Sequence, residues 1–364
     1  MDQLQEARQT INSVDQQMAA LFVRRMEACR VIAGYKKERA LPIYDAEREQ
    51  AVLKKNSAYV EDEQIKDYYL RFLQGLMDLS KLYQFKLIEG MKVAYAGTAG
   101  AFANIAATRI FPGGICKGYD GFQAAYDAVA QGECDCAVLP IENSFAGEVG
   151  QVMDLMFHGS LSVNGIYTLP VSQNLLGVPG SDRSMIRRVL SHPQALSQCE
   201  EVIHRFGWDA VPETNTAIAA QKVAKLGDPT VGAIASAMAA DLYGLVVLEH
   251  DINVSSTNTT KFAVFSRVES SSGKAKNNKF ILLFTVNDEA GALAKAIQVI
   301  GSHGFNMKAL RSRPVKEKDW QYYFYAEIEG DENSEEGRSM LEELGRQCDT
   351  LKVAGHYTVE ISLN

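Results

Sequence analysis

Arg25 stands in a seven-residue series, Leu4, Ile11, Met18, Arg25, where an apolar side chain is expected. A charge on a packing seam needs compensation or a ligand, because taking it out of water is costly. Lys36 lies on the same run, and at about 100° per residue it sits only about 20° round from Arg25. The two cations therefore share a face. Arg8 is about 100° away from Arg25 on the same count, so a straight helix does not bring it to the pair, whereas a second copy of the helix would. Further on, Asp45, Arg48 and Glu49 share one helical face, and Ser80 and Gln84 form an i,i+4 pair. Taken one at a time these are solvated charges with helix salt bridges. As a set they are harder to dismiss as surface charge.

A second group of polar residues falls at strand ends and helix starts, where ligands gather in open α/β folds. Gly97-Thr98-Ala99-Gly100 follows a strand, Glu142-Asn143-Ser144 follows Ala137–Ile141, and Ser191-His192-Pro193-Gln194 follows Val189-Leu190. Thr214-Asn215-Thr216 precedes the helical run Ala217–Leu226. Each alone is an ordinary turn or cap. His192 would tempt as a general acid, but next to a helix start a structural role is expected of it. Cys134 and Cys136 share one face of a strand with no further Cys pair or His at ligand spacing, so buried thiols are expected rather than a metal.

The elements that must position these groups change character twice. From Gln3 to about Leu41 apolar residues recur at helical spacing, with no Gly or Pro until Gly34 and a stop at Pro42. A helix of about 40 residues is about 60 Å long, more than a small domain spans, so it needs a partner surface along its length. Helical segments over Ala46 to about Tyr59 and Asp62 to about Glu89 complete a three-helix unit, which reads as half of an intertwined dimer. From Met91 short apolar runs (Lys92–Ala96, Cys136–Ile141, Val189–Ser191, Val231–Ala235, Phe262–Ser266) alternate with helices such as Ala101–Phe111 and Gln194–Phe206. That pattern predicts a largely parallel sheet in two lobes. Residues 269–279 are polar and small, a linker by composition. Beyond them the order strand, helix, strand, strand, helix, strand over 280–364 is the ferredoxin-like unit.

Bulk composition narrows the classes. With 364 residues the chain holds two or three domains, and 46% hydrophobic with 23% charged residues is ordinary globular usage. A formal charge of -8 and no basic run exclude a broad nucleic-acid face. Any anionic substrate must be gathered by locally placed Arg and Lys. Met1 to Asn12 has no apolar signal core, and Gly232 to Leu248 is too mixed for a membrane span. The expectation is a cytoplasmic protein without metal or cofactor.

The string Arg8, Asp15, Arg24-Arg25, Lys36, then Pro42-Ile43-Tyr44-Asp45-Ala46-Glu47-Arg48-Glu49, with Ser80 and Gln84, resembles the all-helical chorismate mutase family. The resemblance implies an intertwined helical dimer over residues 1–90. In that family chorismate rearranges to prephenate in one pericyclic step that needs no nucleophile, only a folded substrate and stabilised charge on the ether oxygen. Arg8 and Arg25 would then clamp carboxylates, while Lys36 and Gln84 would donate to the ether oxygen. Arg48 and Ser80 would position substrate, and Asp45 and Glu49 would address its hydroxyl.

Pro140-Ile141-Glu142-Asn143-Ser144 with Gly147, Ser191-His192-Pro193-Gln194-Ala195-Leu196 with Gln198-Cys199, Asn215-Thr216-Ala217 and Thr259-Thr260-Lys261-Phe262 resemble prephenate dehydratase over residues 91–268. The resemblance implies a two-lobed α/β domain of the periplasmic-binding-protein kind. Thr260 would assist the departing hydroxyl, Lys261 would bind a carboxylate, and Asn143, Ser144, Ser191 and Gln198 would orient the ring with Glu142 supporting them. Lys261 replaces the family's usual Arg, which gives up bidentate binding, and Ala101-Phe102-Ala103 replaces its Thr-Phe-Ser. Residues 280–364 resemble an ACT domain, an α+β sensor unit. Its phenylalanine-binding segments would be Gly291-Ala292-Leu293 and Ser312-Arg313-Pro314, with Arg311 in place of the usual Glu.

Together these resemblances imply a multidomain enzyme making phenylpyruvate from chorismate, inhibited by phenylalanine and assembled as a homodimer or dimer of dimers. Three other readings stay open at this point. An arogenate dehydratase would share every motif, and a dehydratase-like lobe turned sensor would share most. A fused dehydrogenase is disfavoured, because no Gly-x-Gly-x-x-Gly follows a strand.

Overall fold

The computed structural model describes residues 3–41, 43, 45–88, 90–254, 258–269, 278–315, 321–357 and 360–363. Pro42, Tyr44 and most of the expected linker lie outside the described residues. The chain divides into two compact units, Met1–Met91 with Pro112–Ile115, and Lys92–Phe111 with Cys116–Asn364.

The first unit is helical: α1 (Gln3–Glu38), α2 (Ala46–Ser57) and α3 (Glu63–Leu87). Its helix starts are written in the sequence. Asp45 caps α2 by accepting from Arg48 N at 2.9 Å, and Asp62 caps α3 by accepting from Gln64 N at 2.8 Å. α1 stops at Glu38 rather than near Leu41. Ala40 turns left-handed (φ 51°), and Leu41 N bonds back to Lys36 O at 2.9 Å, the closure of a helix C-terminus. At 36 residues α1 is about 54 Å long, and only Cys29 and Ala33 on it are buried. Leu4, Ile11, Val14, Met18 and Leu21 are between 44% and 59% exposed. The apolar stripe that defines α1 in the sequence is thus uncovered within one chain.

The second unit begins with β1 (Lys92–Ala96), α4 (Phe102–Ile110), β2 (Ile115–Tyr119), α5 (Phe122–Ala130), β3 (Cys136–Asn143), β4 (Gly147–Glu148), α6 (Gly150–His158) and β5 (Ser162–Pro170). A second lobe follows with β6 (Asn174–Gly177), β7 (Arg188–Ser191), α7 (Pro193–Gln198), α8 (Glu200–Phe206), β8 (Asp209–Pro212), α9 (Thr216–Leu226), β9 (Val231–Ala235), α10 (Ala237–Tyr243) and β10 (Val246–Glu249). The chain returns through β11 (Thr259–Ser266) and ends in β12 (Lys279–Thr285), α11 (Ala292–Ser302), β13 (Asn306–Pro314), β14 (Tyr322–Glu329), α12 (Glu335–Gly345), β15 (Thr350–Tyr357) and β16 (Ile361–Ser362). The last group has the expected βαββαβ order. Two expectations are corrected. The sheets are mixed rather than largely parallel, because β11 returns antiparallel between β3 and β5, and β6 runs antiparallel to β9 and β10. The helix expected over Gln194–Phe206 breaks at Cys199, a fully buried residue that starts α8.

One sheet runs β13-β14-β12-β15-β5-β11-β3-β1-β2, and the other β10-β6-β9-β7-β8. The C-terminal strands therefore continue the dehydratase-like sheet rather than forming a separate one. Gly355 makes the junction. It pairs with Val163 of β5 at a φ of 148°, and a Cβ there would overlap the Val163 backbone. One core is shared across the junction, with Ala137, Leu139, Ile141, Ala263 and Phe265 packing with Ile281, Leu283, Tyr323 and Tyr325. No described helix is long and apolar enough to cross a membrane.

Candidate functional site

In the helical unit α3 meets Arg25 of α1 and, through Lys81, Glu49 of α2. Arg25 donates through Nη1 to Ser80 Oγ and, at 3.3 Å, to Leu76 O. Ser80 Oγ in turn donates to Leu76 O at 2.6 Å, and Gln84 Nε2 donates to Ser80 O at 3.2 Å. The buried Gln84 Oε1 has no hydrogen-bond partner among the described residues, and the amide nitrogen carries a second proton that can donate to an ether oxygen while the helix bond is kept. Lys36 donates to Ile43 O at 2.7 Å, using one of three ammonium protons. Burial pushes its pKa below the usual lysine value, against the pull of Asp45 and Glu49. Glu49 is held by Lys81 at 2.7 Å, a residue that sequence reasoning did not single out. Asp45 caps α2 through Arg48 N, which leaves the Arg48 side chain exposed. Arg8 is not brought here. It lies seventeen positions before Arg25 on the same straight helix, about 25 Å away along the axis.

The dehydratase-like site is built on one face of the β3–β11 pair. Thr260 and Asn143 are register partners. Asn143 Oδ1 accepts from Phe145 N at 3.0 Å, Ala146 N at 2.9 Å and Gln194 Nε2 at 3.3 Å. Those donors fix the amide, so Nδ2 faces the other way and donates to Thr260 Oγ1 at 2.9 Å, Asn258 Oδ1 at 2.9 Å and Thr259 O at 3.1 Å. Thr260 accepts this bond, which leaves its own hydroxyl proton to donate elsewhere. Asn143, Thr260, Gln198 and Asn258 are all buried, and all are neutral. Among the described residues Asn258 Nδ2 and Gln173 Oε1 have no hydrogen-bond partner, and Gln173 Nε2 donates to Gln198 Oε1 at 3.3 Å. Gln173, Gln194 and Asn258 were missed as site residues. Gln194 stood inside a quoted motif, and only its contact with Asn143 separates it from a helix-surface glutamine.

Ser144 Oγ accepts from Thr259 N at 3.0 Å and helps tie the turn to β11. Ser191 is fully buried and gives its proton to Ile234 O of β9, so it serves the second lobe internally. His192 caps α7, with Nδ1 accepting from Gln194 N at 3.2 Å, and burial lowers its pKa. The residue is therefore a neutral cap acceptor.

Glu142 and Lys261 require a correction. They are register partners, but each is one residue from the Asn143–Thr260 pair, so they emerge on the opposite face of the sheet. Lys261 shares that face with Ala263 and Phe265, whose core is that of the C-terminal strands. Lys261 Nζ lies 3.6 Å from Glu142 and 3.3 Å from Glu360, and Glu360 also pairs with Lys279 at 3.2 Å. Burial alone would lower its pKa, but Glu360, Glu327 and Glu142 carry it above the usual lysine value. Lys261 is a paired cation pointing away from Thr260.

At the C-terminal end, Gly291 is left-handed (φ 85°) and opens α11, with Leu293 half-buried behind it. Along β13 exposure alternates, so Ser312 and Pro314 face out while Arg311 and Arg313 face in. Thr285, Tyr323 and Arg313 lie in one row of the sheet, which places the Gly291 and Ser312 segments at the same end. Arg311 pairs with Glu142 and lies over the Tyr325 ring, 5.5 Å from its centre.

The chain matches three families in the same order as these sites: chorismate mutase type II over residues 7–85, prephenate dehydratase over 93–270 and the ACT domain over 280–346. A curated relative from Enterobacter agglomerans, a bifunctional chorismate mutase/prephenate dehydratase, is 32% identical over 368 residues, covering 97% of this chain and 95% of its own. Among solved structures, a prephenate dehydratase in complex with L-Phe from Arthrobacter aurescens is 25% identical with a TM-score of 0.68, covering 74% of this chain and 90% of its own. GqqA, described as a novel type of quorum quenching acylase, is 31% identical with a TM-score of 0.69, covering 74% of this chain and 98% of its own. With a helical mutase unit, a two-lobed dehydratase sheet and a C-terminal ACT unit in one chain, the protein belongs to the bifunctional chorismate mutase/prephenate dehydratase family.

Proposed function

We propose that this chain rearranges chorismate to prephenate on its helical unit and converts prephenate to phenylpyruvate on the β3–β11 face. In the first step Arg25 binds a substrate carboxylate, held by Ser80, and Lys36 meets the ether oxygen as its charge develops. Asp45, Arg48, Glu49 and Gln84 complete the pocket from α2 and α3. The exposed stripe of α1 supports an intertwined dimer, in which the partner subunit's Arg8 supplies the second carboxylate clamp.

The observation that carries the second step is the fixed Asn143 amide. It makes Thr260 an acceptor toward Asn143 and so directs the threonine proton to the substrate hydroxyl. The substrate loses its ring carboxylate as carbon dioxide. The electron pair of that bond aromatises the ring as the carbon–oxygen bond breaks, and the departing hydroxide, hydrogen-bonded by Thr260, takes up one proton from solvent and leaves as water. A neutral, buried surround favours loss of a carboxylate charge, and Ser144 and Gln198 line the approach. Feeding prephenate to the purified protein tests this reading directly, with arogenate supplied in parallel. Phenylpyruvate from prephenate is expected. Turnover of arogenate alone would reassign the substrate, and turnover of neither would leave the lobe a sensor.

L-phenylalanine fits the outward face of the ACT end. The α11 N-terminus at Gly291 and Ala292 suits its carboxylate, Leu293 suits its ring, and Ser312 and Pro314 border it. Arg311 does not oppose the effector's ammonium, because it is turned inward onto Glu142. Titrating L-phenylalanine while recording binding heat and dehydratase rate tests regulation, with inhibition expected. The free thiols of Cys29, Cys116, Cys134, Cys136, Cys199 and Cys348 suit a reducing, cytoplasmic compartment.

A further inference from the structure

We propose that Arg311 and Arg313, two arginines of the ACT strand β13, are positioning residues of the dehydratase, clamping the hairpin that carries Asn143 and Ser144. The proposal rests on the dehydratase reading above and adds residues that never touch substrate.

The hairpin joins β3 to β4, and across it Glu142 is the register partner of Glu148, as Asn143 is of Gly147. Two like charges directly opposite on adjacent strands repel, so this turn opposes its own closure unless cations neutralise it. β13 supplies one arginine to each glutamate. Arg311 Nη2 holds Glu142, and Arg313 Nη1 holds Glu148 at 2.9 Å. Arg313 also reaches Asp154 on α6 at 3.1 Å, and Tyr323 donates to the same carboxylate at 2.9 Å. The guanidinium sits against Gly150, where any side chain would overlap it. The space for Arg313 is therefore built into the start of α6, beside the hairpin. Lys261, the other partner of Glu142, is already shared with Glu360, so it does not replace Arg311.

Reaction geometry depends on this turn. Asn143 takes its orientation from Phe145 N and Ala146 N, both inside the hairpin. Loosening the turn would release the amide that sets the direction of the Thr260 proton. Because Ser312 and Pro314 emerge on the opposite side of the same strand, an effector bound there would act on the clamp through the backbone of β13.

Arg311→Gln, Arg311→Lys, Glu142→Gln and the double variant Glu142→Gln with Arg311→Gln test the clamp in the full-length chain. Mutase rate, dehydratase kcat and KM, and amide hydrogen exchange over residues 142–149 are measured on the same preparations. Arg311→Gln is expected to lower dehydratase kcat about 10- to 100-fold, as misplacement of reacting groups does, with KM and the mutase rate unchanged. Exchange of the hairpin amides should rise. Lysine, a point charge without the fork, should restore part of the rate, and the double variant should be no worse than the poorer single one. Unchanged kcat and exchange in Arg311→Gln would overturn the proposal, as would a KM effect alone or additive losses in the double variant. If the wild type does not dehydrate prephenate, the functional reading fails by itself, and the exchange measurement still decides the clamp.

Discussion

The helical unit and the β3–β11 face treat polar residues in opposite ways. On the helices, charge enters a partly buried surround: Arg25 interrupts a series of apolar positions, Lys36 shares its face, and burial already works against Lys36. On the sheet, charge is kept out. Thr260, Asn143, Gln198 and Asn258 are buried and neutral, while Glu142 and Lys261, their immediate chain neighbours, are turned to the other face. The difference follows the chemistry. A pericyclic rearrangement of a dicarboxylate gains from fixed cations that meet developing negative charge. A decarboxylating elimination gains from a surround that solvates a departing carboxylate poorly and gives one proton direction.

The contrast is broken most severely at the mutase cation. Arg25→Ala should lower chorismate turnover by about 10²- to 10³-fold or more, the scale of losing one aimed donor. Dehydration of supplied prephenate should stay at the wild-type rate. A folded Arg25→Ala protein with near-normal mutase activity would remove the seam cation from the mechanism.

On the neutral face, Thr260→Ala should cut phenylpyruvate formation by about 10²-fold and let prephenate accumulate from chorismate. Asn143→Ala should do nearly the same without adding to it, because the two act as one unit. Equal activity of Thr260→Ala and wild type would place the assisting hydrogen bond elsewhere.

A pH titration separates the two sites. A Lys36 that donates to the ether oxygen, as proposed, must be protonated, and burial lowers its pKa from 10.5, so the mutase rate should fall as pH rises through that depressed value. Lys36→Arg should move the alkaline limb upward. Stability changes in the opposite sense. Between the folded and unfolded values the unfolded chain binds more protons, so this lysine makes folding more favourable as pH rises through that window. An alkaline limb unmoved in Lys36→Arg would assign it to another group.

The smallest effect is expected at His192. As the cap acceptor of α7, its loss in His192→Ala should cost about 1 kcal/mol of stability, read as a lower denaturation midpoint. The pH profile of dehydratase kcat should keep its shape. Disappearance of one limb would make the histidine a proton carrier.

The sequence made the frame legible wherever a short-range rule decides. Helical periodicity placed α2 and α3, and strand-helix alternation placed the βαββαβ order. A polar run at a strand end marked Glu142 and Asn143, and the family resemblance marked Thr260 and Lys261. What it did not disclose was which way those side chains point. Alternation puts Glu142 and Lys261 opposite Asn143 and Thr260, but which of the two faces meets the C-terminal core is decided by long-range packing and by the register shift just beyond them. Arg311 had the same character. Its partner Glu142 is 169 positions away, so as sequence it is an odd charge in an effector segment, and in the fold it neutralises one side of a hairpin. Gly150 and Gly355 likewise matter through what approaches them, Arg313 in one case and the Val163 backbone in the other.

One time course tests the central claim most directly. Chorismate is added to purified wild-type protein, and chorismate, prephenate and phenylpyruvate are followed separately. If the two units carry the two reactions, chorismate disappears, prephenate rises and then falls, and phenylpyruvate accounts for the product. Chorismate left unconsumed would contradict the mutase assignment, and prephenate standing as the final product would contradict the dehydratase one.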